Sequence, residues 1–446
     1  MRSECRQRFK TLNGLCLRMS YYSIKAGGLT GEIIVPPSKS QTLRAILFGA
    51  LAKGKTKVYD YLLSPDTDAM IEACRSLGAM IQRTPTCLEI EGLNGQIEKA
   101  EDVIQAGNSG IVLRFMAAVA ALASHPIVIT GDYSIRHQRP MQSLLNGLTQ
   151  LKVSAISTRG DGYAPVIIQG PWKGGTAYLA GEDSQPISAL LIASIFSQTP
   201  TELHVINPGE KPWVGLTLDW LNRLGVTYKQ EHFTHYWIQG NEKIQGFEYP
   251  VPGDFSSAAF PLAAALITRS EITLKNLDFQ DLQGDKQLLE VFRAMGAIIT
   301  VDEINKSLHV KPGEILKGVE VDMNDLIDAV PILTVVACFA TGQTRLTNAA
   351  IARQKECDRL FAITKELRKM GAAIIEQEDG LLIQPAKLKG ADVDSHHDHR
   401  IAMSLAVAGL AAEGNTTVQA TDCVSKTFSS FVHDFKGLGA LIQEGQ

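Results

Sequence analysis

One unit occurs six times along this chain, and no other feature limits its possible folds so sharply. Each unit contains an amphipathic helix pattern that closes on Leu/Met-Gly and runs into a β-branched stretch. The copies lie at 71–81, 144–156, 216–228, 288–300, 360–375 and 431–442. Glycine suits the position just past a helix end, where a positive φ is wanted; the copy at 144–156 carries Lys152 there instead. A second pattern, an Ala-rich helix followed by a turn and a strand, alternates with the first at 42–58, 112–130, 186–205, 256–274, 329–346 and 400–418. These helices are almost wholly small or apolar, so they are expected to be buried on most sides. Three units in each half predict two similar α/β domains. A chain of 446 residues, too long for one ordinary core, agrees.

The apolar helices begin on polar heads: Ser38-Lys39-Ser40-Gln41, Asn108-Ser109-Gly110, Asp183-Ser184-Gln185, Asp254-Phe255-Ser256-Ser257, the stretch 325–328, and His397-Asp398-His399-Arg400. Ser, Asp and Asn at such places are ordinary N-caps. Capping does not explain Lys39, Arg44, Arg114 and Arg400, because cations oppose the helix dipole at that end. Helix N-termini with added Lys and Arg form anion sites, so six converging heads predict an anion-attracting cleft. Loops add Arg136, His137, Arg139 and Lys426, and the segment from Arg353 to Arg359 packs five charges of both signs ahead of another apolar helix. Taken alone, that charge run is equally a solvated helix start. Asp328 and Glu356 are carboxylates among these cations, the arrangement that acid–base catalysis requires.

Other classes drop out. The chain has no GxxxxGK[ST] loop, no dinucleotide fingerprint and no Gly-x-Ser-x-Gly elbow. A net charge of −4 argues against nucleic acid as a partner. No apolar run reaches the roughly 18 residues of a membrane helix; the stretch 112–130 is broken by Arg114, His125 and Pro126. His396, His397 and His399 at a helix start point in different directions, so no metal is expected there. Seven scattered cysteines without a CxxC pair fit a reduced, cytoplasmic compartment. Residues 1–19 carry Arg2, Arg6, Arg8, Lys10 and Arg18 without a long apolar segment. They are expected to form a disordered extension, with Met19 a candidate start.

Several motifs agree in order and spacing: Ser38-Lys39-Ser40 with Arg44, Asn108-x-Gly110 with Arg114, Arg139-Pro140, Asp328-Ala329, Lys355-Glu356-x-Asp358-Arg359, Asp398-His399-Arg400 and Lys426-Thr427-Phe428. On these residues the chain resembles the 5-enolpyruvylshikimate-3-phosphate (EPSP) synthase family, from about residue 22 to its end. The resemblance implies the two-domain, inside-out α/β barrel of enolpyruvyl transferases, with three βαβαββ-type repeats per domain. It implies one domain made of residues 20–37 plus 253–446, a second of 38–252, and an active site in the cleft between them. The implied reaction, in the shikimate pathway to chorismate and the aromatic amino acids, moves the enolpyruvyl group of phosphoenolpyruvate to the 5-hydroxyl of shikimate 3-phosphate. Phosphate is released, and a cytoplasmic monomer without cofactor, metal, nucleic acid or membrane is implied.

By the same resemblance, Lys39, Gly110, Arg139, Gln185, Arg359, Arg400 and Lys426 hold phosphoenolpyruvate. Lys39, Ser40, Arg44, Ser184, Gln185, Asp328 and Lys355 hold shikimate 3-phosphate. Asp328 is the base for the attacking hydroxyl, Glu356 protonates the methylene carbon, and Lys39 assists. The chain departs from the family pattern at Asp183 and Glu210, where serines are usual, and at Ile111, Trp213 and Cys357. Two carboxylates facing a phosphate repel it. Either Asp183 and Glu210 turn away, or the acceptor is a different and unphosphorylated alcohol. A catalytically dead binding relative is the third alternative, and would be expected to have lost Asp328, Glu356 or the cations.

Overall fold

The computed structural model describes residues 11–12, 15–16, 20–97, 99–313 and 315–446. The expectation for residues 1–19 lies outside the described residues, apart from a short ladder of Thr11–Leu12 with Leu15–Cys16.

Among the described residues six four-stranded sheets carry the repeat, and all six have one pattern: one parallel pair, then two antiparallel pairs. In the first, Lys55–Tyr59 pairs parallel with Glu248–Pro250 and antiparallel with Cys87–Glu91, which pairs in turn with Met80–Arg83. Among the described residues no sheet closes on itself, so the architecture is an array of open sheets around helices. Three sheets borrow a strand from far along the chain. Glu248–Pro250 completes the first sheet, Thr30–Ile34 pairs with Glu271–Lys275, and Tyr21–Lys25 sits between Asn415–Gln419 and Leu441–Gly445.

Two hydrophobic cores result. One is built from residues between 43 and 251, the other from 22–35 together with 255–442. Their centres are the Ala-rich helices Lys39–Leu51, Gly110–Ala120, Ser184–Ser194, Phe255–Thr268, Val330–Cys338 and His399–Gly409. Small side chains let these helices be buried nearly all round, as their composition requires. Ser38, Ser109, Asp183 and Asp398 cap their helices by accepting backbone N–H bonds. The fifth helix differs. Its predicted head forms a 3-10 segment, Asn324–Ala329, because Leu326 leaves helical geometry before Pro331 opens the helix proper.

The outer helices end as the Leu/Met-Gly pattern predicts, with a left-handed residue such as Gly78 at φ +103°. Lys152 adopts the same left-handed conformation at φ +63°, so the degenerate copy keeps the geometry without the residue suited to it. Lys152→Gly is therefore expected to raise stability by about 1 kcal/mol, read as a higher urea midpoint at unchanged slope.

Candidate active site

Each of the six helix heads contributes to the lining of one cleft, through Lys39 and Ser40, Ser109 and Gly110, Ser184 and Gln185, Asp254 and Ser256, Asp328, and His399 with Arg400. Arg44, Arg139, Lys355, Glu356, Arg359 and Lys426 line the same cleft. Every site residue expected from sequence is thus gathered in one place, from motifs up to 387 positions apart (Lys39 to Lys426).

The charges are arranged around two carboxylates. Glu356 faces Arg139 at 2.7 Å, accepts from Arg359 at 2.6 Å and accepts from Lys426 at 3.0 Å. Asp328 accepts from Arg359 at 2.6 Å and Arg400 at 2.9 Å. Burial alone would push the Glu356 carboxyl up. Arg139, Lys426 and Arg359 more than offset that and hold it well below the ordinary 4.5. Asp328 is held low in the same way: burial opposes, and Arg400, Arg359 and Lys355 prevail. Arg359 joins the two groups. It is 1% exposed and also donates to the fully buried Asp398 at 2.7 Å, so one guanidinium serves three carboxylates. The Nε–H groups of Arg139 and Arg400 are buried and have no acceptor among the described residues. The cleft therefore has donor capacity left for an anion.

The remaining cations are held differently. Lys39 lies 3.7 Å from Asp66, and burial lowers its pKa against the pull of that carboxylate. Lys426 also donates to the backbone and side-chain oxygens of Asn108, at 2.9 Å each. Arg44 donates to Thr217 Oγ1 and to the Trp213 and Ser40 carbonyls, with its guanidinium over the Phe115 ring. Arg114 donates to Gln185 at 2.7 Å and to the Pro140 carbonyl at 2.9 Å. A Cβ at Gly110 would stand 3.0 Å from Arg114 Nη1 and 3.3 Å from Gln185 Oε1, so glycine keeps this corner open.

The two unexpected carboxylates part ways. Asp183 turns to Arg114 at 3.3 Å, caps its helix at Gln185 N, and does not line the cleft. Glu210 does line it. It is 1% exposed, accepts from Ser184 N and Ser184 Oγ at 2.9 Å each, and pairs with Lys355. Cys357 is buried beside Asp398 and Trp213 lines the wall, so neither departure disturbs the charged cluster.

Asp66 lines the cleft without having been expected there, and Asp254 and His399, which belong to two of the converging heads, line it without having been singled out as site residues. Asp66 and Asp254 look like ordinary helix-start acids in sequence, so no local signal separates them from caps. His399 is 1% exposed and neither ring nitrogen has a hydrogen-bond partner among the described residues. Burial, then Lys39, pushes its pKa well below 6.5, so it is neutral. A depressed folded-state value means that stability is complete above about pH 6.5 and is lost as pH falls below it, by up to about 1.4 kcal/mol per unit. His399→Gln is expected to flatten that decline, measured as denaturation midpoints at several pH values.

The model of the family described as EPSP synthase (3-phosphoshikimate 1-carboxyvinyltransferase) matches residues 24–435. A 3-phosphoshikimate 1-carboxyvinyltransferase of Chlamydia abortus is 44% identical over 96% of this chain and 95% of its own length. One from Acetivibrio thermocellus is 41% identical over 94% of this chain and 98% of its own. The solved structure of EPSP synthase from Acinetobacter baumannii superposes with a TM-score of 0.81 at 29% identity, covering 96% of this chain and all of that one. Cleft, repeats and relatives agree, and the chain belongs to the EPSP synthase family.

Proposed function

We propose that this chain is a transferase of the shikimate pathway that moves the enolpyruvyl group of phosphoenolpyruvate to the 5-hydroxyl of shikimate 3-phosphate and releases phosphate. The observation that carries the proposal is the cation cluster on Glu356 and Asp328, with unused donors on Arg139 and Arg400. Phosphoenolpyruvate brings a carboxylate and a phosphate, and Lys39, Arg139, Arg359, Arg400 and Lys426 supply cations for both. Gly110 and Gln185 complete that side, while Ser40, Arg44, Ser184 and Lys355 face the acceptor.

Asp328 takes the proton of the 5-hydroxyl as that oxygen bonds to the substituted carbon of phosphoenolpyruvate. Glu356 delivers a proton to the methylene carbon, giving a tetrahedral intermediate, and loss of phosphate with a proton from the new methyl group yields the enol ether. A carboxylate as depressed as Glu356 is a poor acid. Bound phosphoenolpyruvate corrects this, because its anionic groups compete for Arg139, Arg359 and Lys426. Burial is then less opposed, and the Glu356 pKa rises. The two cores act as domains of residues 20–37 plus 253–446 and of 38–252, closing on the substrates to exclude water. A cytoplasmic monomer completes the proposal, with the free Cys74, Cys87, Cys338, Cys357 and Cys423 as support for a reducing compartment.

Glu210 favours a second reading, in which the acceptor is an alcohol without a phosphate. Its carboxylate already holds Ser184 N–H, Ser184 Oγ and Lys355, the donors an acceptor phosphate would use. Phosphate release measured with phosphoenolpyruvate and either shikimate 3-phosphate or shikimate separates the two. Turnover confined to the phosphorylated acceptor supports the first. Turnover with shikimate alone supports the second, and none with either refutes both. If the acceptor is phosphorylated, Glu210→Ser frees three donors and is expected to lower its KM about tenfold with kcat little changed.

A further inference from the structure

A second site lies on the exposed face of another sheet, away from the cleft. Strand Thr201–Ile206 places Glu202 and His204 two residues apart, hence on one face. The neighbouring antiparallel strand His235–Ile238 sets His235 directly opposite His204. The two imidazoles stack with centroids 4.6 Å apart and planes 14° apart, and Tyr178 stacks at 4.7 Å on His204. Both Nε2 atoms face one carboxylate: His235 at 2.8 Å and His204 at 3.9 Å from Glu202 oxygens. Thr176 Oγ1 donates to Glu202 at 3.4 Å.

We propose that Glu202, His204 and His235 bind a divalent transition-metal ion such as Zn²⁺, Ni²⁺ or Cu²⁺. Two imidazole nitrogens and one carboxylate suit these ions and not Mg²⁺ or Ca²⁺, which prefer all-oxygen shells. One donor atom from each residue lies within 4.8 Å of the others. Two ligands on one ion at about 2.1 Å can stand at most about 4.2 Å apart, so a small side-chain rotation completes the set. The cross-strand register sets the two histidines side by side, the rings turn out of their stack so that both lone pairs converge on one ion, and Thr176 orients the carboxylate as outer-shell partners do. On binding, His235 gives up the Nε2–H that it shares with Glu202, and each ring offers the Nε2 lone pair with its proton carried on Nδ1. Water takes the fourth position of a tetrahedral ion.

None of the three residues lines the catalytic cleft, so substitutions there leave phosphate release as a control of fold and function. Zn²⁺ titration of the full chain against a chromophoric chelator is expected to show one site with Kd on the order of micromolar. His204→Ala and His235→Ala should each weaken it by more than the roughly tenfold effect of losing an outer-shell partner. Cobalt in place of zinc should give visible d–d absorption that disappears in both variants. A plain Glu202–His235 ion pair involves no role for His204. Zinc affinity unchanged in His204→Ala, or a wild-type Kd weaker than about millimolar, overturns the proposal.

Discussion

Glu356→Gln is expected to lower kcat by about 10²–10⁴, the range for loss of one general acid–base group. Glutamine has nearly the same shape and its amide oxygen still accepts from Arg139, Arg359 or Lys426, so the cleft should keep its form. The proton is what disappears. The charge matters too, and it predicts an opposite effect on binding. In the free protein the Glu356 carboxylate occupies three cations that the proposed function assigns to phosphoenolpyruvate. Removing that anion should tighten phosphoenolpyruvate binding while turnover collapses. Measuring kcat by phosphate release and Kd by calorimetry tests both parts at once. A variant within about tenfold of wild-type kcat would remove Glu356 from the acid role. Weaker phosphoenolpyruvate binding would show that the carboxylate organises the cations more than it competes for them.

Arg359→Ala is expected to damage the fold as well as the site. Its guanidinium lies among Asp328, Glu356 and Asp398, and it is itself buried. Breaking a buried ion pair from one side leaves an uncompensated charge, worth about 3–5 kcal/mol. Asp398 suffers most, because it is fully buried, while Asp328 retains Arg400 and Glu356 retains Arg139 and Lys426. The urea midpoint should fall, and phosphate release should fall with it. Adding Asp398→Asn to Arg359→Ala should restore part of the stability and none of the activity, since it removes the stranded charge without replacing the cation. A single variant as stable as wild type would mean that water or a rearranged cation replaces Arg359. Lysine at this position should rescue poorly, because a point charge cannot span three carboxylates as a planar fork does.

Much of this could be read from the chain directly. Helix periodicity and its Leu/Met-Gly endings are local, and the structure keeps them even at Lys152, where a lysine accepts the left-handed turn that its neighbours give to glycine. The Ala-rich helices declared their burial through composition, and their cationic heads declared an anion cleft. What failed was also physical. The head of the fifth helix became a 3-10 segment, because a proline and one non-helical residue outweighed the repeat. Asp66 was hidden because a helix-start acid that caps and one that lines a cleft are the same letter in sequence.

The sequence by itself determined which segments form elements, which faces are apolar and which residue types could meet an anion, since these depend on spacings within a few turns. Only the tertiary structure decided how opposed charges are shared. Asp183 and Glu210 read alike in sequence, yet Asp183 turns to Arg114 and Glu210 enters the cleft, because each went to the cation that folding brought within reach. It decided also that Tyr21–Lys25 completes the last sheet, and that His235 stands opposite His204 and within reach of Glu202. Strand pairing and charge pairing over such separations depend on register and loop closure, which no local pattern encodes.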